Sequence, residues 1–248
     1  MGDAGHQIIA VADAAEMAAT AAQRIIARID ANDGRIAICL SGGSSPKQLY
    51  RLLASEAYRS LLPWHRIHWF VGDERFVPVN SDLSNMGVAR RMLLDSCAPA
   101  SHIHPVPTDG ANPNAGAERY ARELQSFYGA DELRHGRPLF DLVLLGAGTD
   151  GHTASLFPGD PALDERERWV VGVPKADLEP FVPRVTLTLP ALGACHEMLF
   201  EVAGSDKRAI LTRLLNGENL PANRARSGEG TTVWLVDRAA LPEGFRSS

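Results

Sequence analysis

Apolar residues along this chain fall into two patterns that alternate: short unbroken runs, and stripes at helical spacing. The runs are 35–40 (RIAICL), 66–71 (RIHWFV), 140–145 (FDLVLL), 168–173 (RWVVGV), 185–189 (VTLTL), 198–202 (MLFEV) and 231–236 (TTVWLV). Their length and β-branched content fit strands covered on both faces, the usual state of a parallel sheet. The first stripe, Ala18, Ala22, Ile25, Ile26 and Ile29, follows Asp13 and Glu16 at capping-box spacing and stops at Asn32-Asp33-Gly34. A second helix is expected from Pro46, with Ser45 as N-cap and Leu49, Tyr50, Leu52 and Leu53 as its buried face. Further helices are expected from an Asp82 cap through Leu94, from Pro113 through Phe127, and over Ile210, Leu211, Leu214 and Leu215. Residues 97–114 carry no useful period and read as a connector or lid; 216–230 read as a loop. Strands alternating with helices imply an α/β fold with a mostly parallel sheet.

Length and composition narrow the function classes. At 248 residues, 45% of them hydrophobic, the chain suits one α/β domain spanning 1–248. No apolar run approaches the roughly 20 residues that cross a bilayer. The opening MGDAGHQ lacks a basic segment followed by a hydrophobic core, so a cytoplasmic protein with no membrane partner is expected. Cys39, Cys97 and Cys195 are odd in number and lack CxxC spacing, which argues against a disulfide framework or a zinc site. A net charge of -5 argues against a nucleic-acid partner. An anionic ligand would have to be met by a few placed cations.

Three strand ends carry candidate chemistry. Ser41-Gly42-Gly43-Ser44-Ser45-Pro46 joins a strand to a helix start, where free N–H groups, the helix dipole and the hydroxyls of Ser41, Ser44 and Ser45 all favour a phosphate. The Walker spacing is absent, so a nucleoside triphosphate is not implied. Gly72-Asp73-Glu74-Arg75 puts acids and a guanidinium at the end of another run. Gly146-Ala147-Gly148-Thr149-Asp150-Gly151-His152 follows the apolar run 140–145. It fits a dinucleotide GxGxxG pattern, but Pro158 would stop the following helix within about two turns and no acid-terminated strand follows roughly 20 residues on. A reacting histidine at 152 is the better reading. Lys207 and Arg208 start a helix where cations oppose the dipole, a conflict that an anion or Asp206 would relieve. His102 and His104 lack a third metal-ligand candidate and are read as loop residues.

Taken together, SGGSSPKQLY (41–50), GDERFVP (72–78), SDLSNMGVAR (81–90), LGAGTDGHTASLFPG (145–159), PRVTLTLP (183–190) and GSDKRAIL (204–211) resemble the 6-phosphogluconolactonase family, related in fold to glucosamine-6-phosphate deaminases. The resemblance implies a Rossmann-like three-layer α/β/α fold and hydrolysis of 6-phospho-D-glucono-1,5-lactone, with no metal or organic cofactor. It also implies that Gly42, Gly43, Ser44, Arg184 and Lys207 hold the phosphate, that His152 activates water, and that Arg75 faces the lactone oxygen. Either Asp150 or Asp73 could orient the histidine. A monomer or homodimer acting on a small sugar-phosphate lactone is expected. Two rivals remain: an amino-sugar-phosphate deaminase or isomerase using Asp73 as its acid, and a non-catalytic sugar-phosphate sensor. Deaminases of this type carry a glutamate after Asp-Gly-His, where this chain has Thr153-Ala154-Ser155.

Overall fold

The computed structural model describes residues 7–176 and 178–245; the expectation drawn from the opening residues falls mostly on 1–6, outside that span. Nine strands are found in it: β1 (Gln7–Val11), β2 (Ile36–Leu40), β3 (Ile67–Val71), β4 (Asp73–Arg75), β5 (Phe140–Leu145), β6 (Val170–Val173), β7 (Arg184–Leu187), β8 (Cys195–Val202) and β9 (Thr231–Asp237). Six of them form one sheet in the order β1-β9-β8-β5-β2-β3, and every pairing in it is parallel. Every residue of β2 and β5 is buried, as unbroken apolar runs require. No helix among the described residues is long and apolar enough to cross a membrane.

Register shows how the layers form. Trp69, Ile38, Leu142 and Glu197 are partners across four strands and share a face. Helix Ala14–Asp30 covers it, with Arg24 pairing to Glu197. Phe70, Cys39, Val143 and Met198 share the opposite face, where Phe70 meets Phe127 of helix Pro113–Tyr128 at 4.9 Å. The Rossmann-like three-layer arrangement follows.

Several local expectations hold. Asp13 Oδ1 accepts from the Ala15 and Glu16 amides at 2.9 and 3.0 Å, and Glu16 Oε2 reaches back to accept from the Ala12 amide, one residue before the cap, a variant of the capping box. Others need correction. Ser45 has helical dihedrals and makes no side-chain cap, so helix Pro46–Ala54 begins without one. Ser84, not Asp82, caps the third helix, its Oγ accepting from the Gly87 amide at 2.9 Å; the helix starts at Asn85. The runs at 168–173 and 185–189 do not join the main sheet. β7 pairs antiparallel with β6 on one side and, on the other, with β4, the charged segment read from sequence as the end of the run at 66–71.

Residues 97–114 are not a lid. Ile103 bridges to Trp69 beside β3, and the His104 amide donates to the Trp69 carbonyl at 2.9 Å. This packs His102 and His104 against His68, the third histidine that the spacing did not reveal. His68 stacks on His102 with centroids 4.0 Å apart, and its Nδ1 lies 2.9 Å from His104 Nε2. His104 Nδ1 in turn lies 2.7 Å from the Glu123 carboxylate. A carboxylate only accepts, so His104 donates through Nδ1 and must accept from His68. No group of residues suited to a metal occurs among the described residues.

Burial, then His102, His104 and Arg35, push His68 down to about 4. In the unfolded chain it would protonate near its ordinary value of about 6.5, so the fold refuses a proton that the unfolded state accepts. Stability is therefore full above pH about 6.5 and falls as the pH drops toward about 4. Thermal unfolding across this interval should show wild type losing a few degrees more than His68→Phe, which keeps the stack but cannot titrate.

Candidate active site

Parallel strands β2 and β5 are neighbours, yet the chain leaves β2 toward β3 and leaves β5 toward β8, on the other side. At such a switch point the loops diverge and a crevice opens beyond the strand ends. Ser41 to Ser45 follows β2 and Gly146 to His152 follows β5, so the two glycine-bearing loops face each other across it. The result is a cavity of about 190 Å³ lined by Ser41, Gly42, Gly43, Ser44, Asp73, Arg75, His152, Arg184 and Lys207. Of the residues given a catalytic or phosphate-binding role from the resemblance, only Asp150 is not on this lining; it stands behind His152.

Each loop has a physical need for glycine. Gly43 has φ +92°, the left-handed region that side chains avoid. At Gly42 a Cβ would fall 2.1 Å from Asn85 Oδ1, and at Gly148 one would fall 2.0 Å from His152 Nδ1 and 2.7 Å from Asp150 Oδ1. The histidine ring thus occupies the space that a side chain at 148 would take. A distant segment supports the turn: 216–230, read from sequence as a loop, contains the short helix Pro221–Arg224, and its Ala222 amide donates to the Gly151 carbonyl at 3.0 Å.

His152 Nδ1 lies 2.6 Å from Asp150 Oδ1, and the same oxygen accepts from the His152 amide at 3.1 Å. With Nδ1–H donating to the carboxylate, Nε2 keeps its lone pair. Burial opposes ionisation of Asp150, but the hydrogen bond and charge of His152 outweigh it and hold the carboxyl below its ordinary value. The ring also packs on Phe157, 4.9 Å between centroids. Asp150 is the acid that orients the histidine. Asp73 is not: it is committed elsewhere, accepting from Ser155 Oγ at 2.6 Å and Asn85 Nδ2 at 3.3 Å.

The three charges of β4 separate because strand side chains alternate. Glu74 is buried and accepts from the Arg75, Asn85 and Met86 amides and from Ser84 Oγ, at 2.7–3.0 Å. Burial raises its pKa against these bonds; its place is at the start of helix Asn85–Ala89, not in the cavity. Asp73 and Arg75 do line the cavity. Arg75 Nη1 donates to the Leu83 carbonyl at 2.9 Å, while its buried Nε has no partner.

Arg184 pairs in register with Arg75 across β4 and β7. It is buried, and its guanidinium is held by the Val182 and Pro180 carbonyls at 3.1 and 2.9 Å. Burial lowers its pKa, Asp73 opposes that, and Arg75 adds to it. Lys207 sits in the turn Ser205–Lys207, its ammonium 3.9 Å from Asp206. Arg208 turns away to the Ala239 carbonyl. Two cations therefore reach the cavity from segments more than 20 residues apart.

Two further residues line the cavity. Asn85, which from sequence could either border a sugar or serve as an ordinary cap or turn residue, is buried with Oδ1 unpartnered. Glu201, an acid inside the apolar run 198–202, was not singled out, although that misplaced charge was the signal.

Known proteins resemble this chain in sequence and fold. The family described as Glucosamine-6-phosphate isomerases/6-phosphogluconolactonase matches residues 12–234. A 6-phosphogluconolactonase of Synechocystis sp. is 40% identical over 220 residues, 87% of each chain. The solved 6-phosphogluconolactonase from Trypanosoma cruzi superposes with a TM-score of 0.84 at 29% identity, covering 95% of this chain and 96% of that one. A monomeric glucosamine-6-phosphate deaminase, 18% identical, shares the fold alone, with a TM-score of 0.79 over 94% of this chain and 98% of its own. With the two facing glycine loops, the buried parallel sheet and matches of this length, the chain belongs to the glucosamine-6-phosphate isomerase/6-phosphogluconolactonase family.

Proposed function

We infer that this protein is a 6-phosphogluconolactonase, hydrolysing 6-phospho-D-glucono-1,5-lactone to 6-phosphogluconate as a single-domain cytosolic enzyme, monomeric or homodimeric. One observation carries this: an imidazole with Nδ1 tied to Asp150 shares a cavity with the glycine-serine loop and with Arg184 and Lys207. The relatives' names point the same way.

In this scheme the phosphate, carrying about -1.5 to -2 charges at pH 7, docks against the amides of Gly42, Gly43 and Ser44, the hydroxyls of Ser41 and Ser44, and the two cations. Anchoring one end fixes where the ester falls. His152 Nε2 takes a proton from water as the oxygen attacks the lactone carbonyl. The carbonyl oxygen gains negative charge, which Arg75 is placed to meet. When the tetrahedral intermediate collapses, the ring C–O bond breaks and His152 returns the proton to the departing oxygen. Neither a metal nor an organic cofactor is called for, since the imidazole supplies the base. Nor is a covalent intermediate: Ser155 is fully buried and its hydroxyl is spent on Asp73.

The same contact disfavours the deaminase reading. An acid shuttling a proton between two sugar carbons needs an accessible oxygen, whereas Asp73 is engaged by Ser155 and Asn85. Acid release from freshly generated lactone, above its spontaneous rate, is the expected result. Ammonia release from glucosamine 6-phosphate, with no acid release from the lactone, would overturn it.

Two substitutions separate chemistry from binding. His152→Ala should lower kcat by about 10²–10⁴ while leaving the dissociation constant of 6-phosphogluconate nearly unchanged. Gly148→Ala keeps every proposed functional side chain but drives a methyl into the imidazole, displacing it from Asp150. Turnover should fall by about 10², with a much smaller change in KM, in steady-state kinetics.

A further inference from the structure

β8 carries two acids on one face, Glu197 and Glu201, four residues apart in a strand with period two. They meet different fates. Glu197 is paired to Arg24 of helix Ala14–Asp30. Glu201 is 3% exposed, and neither carboxyl oxygen has a hydrogen-bond partner. It lies at the end of the strand and lines the cavity with Ser41, Gly43 and Lys207. Ser41 is itself held by Tyr50, whose hydroxyl donates to its carbonyl at 2.6 Å, so Glu201 shares the cavity with a loop that is fixed in place. An ionised carboxylate there would oppose the very anion that the loop is built to hold.

We propose that Glu201 is an anion-tuning residue of this cavity: uncharged beside the glycine-serine loop it lets a phosphate dock, and on ionising it loosens that grip. The proposal rests on the functional reading above only in taking the ligand to be phosphorylated. Burial alone raises Glu201 to about 8, so the neutral form dominates at neutral pH. The sign follows directly. Phosphate affinity is full below pH about 8 and declines above it; reciprocally, bound phosphate raises the proton affinity of the carboxyl.

Two of its neighbours do not titrate in its place. Tyr50 from helix Pro46–Ala54 and Cys39 from β2 are both pushed well above their ordinary values, mainly by burial. Lys207, 3.9 Å from Asp206, and His152, bonded to Asp150, line the same cavity. Across the cavity are Asp73, Arg75 and Arg184.

Inorganic phosphate is the probe, titrated calorimetrically into wild type and Glu201→Gln between pH 7 and 9.5. Glutamine reproduces the neutral carboxyl in size and cannot ionise. Wild-type affinity should fall about tenfold more than that of the variant over this range. At pH 8.5, buffers of different ionisation enthalpy should show protons taken up on binding by wild type and not by the variant. Equal pH profiles, or no proton uptake by wild type, would overturn the proposal. Lactone turnover at pH 7 is read separately: its absence counts against the lactonase reading, while the phosphate titration still decides the role of Glu201.

Discussion

Two adjacent parallel strands that send the chain in opposite directions are the constraint on which this protein's chemistry depends. Because β2 and β5 are neighbours in the sheet but their crossovers diverge, no connecting segment covers the space beyond their ends. Backbone amides at the ends of both strands are left facing that space. The remaining site residues arrive from outside the pair: Arg75 and Arg184 from the small antiparallel sheet, Lys207 from the turn after β8. The small sheet is thus as necessary as the large one, since it sets a guanidinium on each of two paired strands.

Four acids near the cavity illustrate how surroundings, not residue type, assign a role. Glu74 is consumed by three amides and a hydroxyl, and Asp73 by Ser155 and Asn85. Asp150 is spent on His152, whose tautomer it sets. Glu201 has no hydrogen-bond partner for either oxygen, and burial pushes it up to about 8. A chain of net charge -5 can therefore present a site suited to an anion, because the local balance beside Arg75, Arg184 and Lys207 differs from the total.

The glycines have a double reading for the same reason. Within LGAGTDGH, Gly148 looks like a flexible loop position, but what excludes a side chain there is the imidazole four residues later. Gly42 is likewise reserved for Asn85, 43 residues away, while Gly43 answers to its own backbone angle. Of the three, only the requirement at Gly42 is long-range.

Local order decided what could be read from residues alone. The buried runs, the capping box at Asp13, the helix starts at Pro46 and Pro113, and the glycine-serine and Gly-Thr-Asp-Gly-His turns all arise from interactions spanning a few residues, so the chain by itself determined them. Tertiary packing decided the rest. That 168–173 and 185–189 leave the main sheet, the latter to pair with Asp73–Arg75, and that His68 completes a stack with His102 and His104 are contests between long-range partners, as is the capture of Asp73 by Ser155 that leaves His152 to Asp150, two residues away. No spacing rule ranks such partners, because each is equally capable of the bond and only the folded geometry brings one of them within reach.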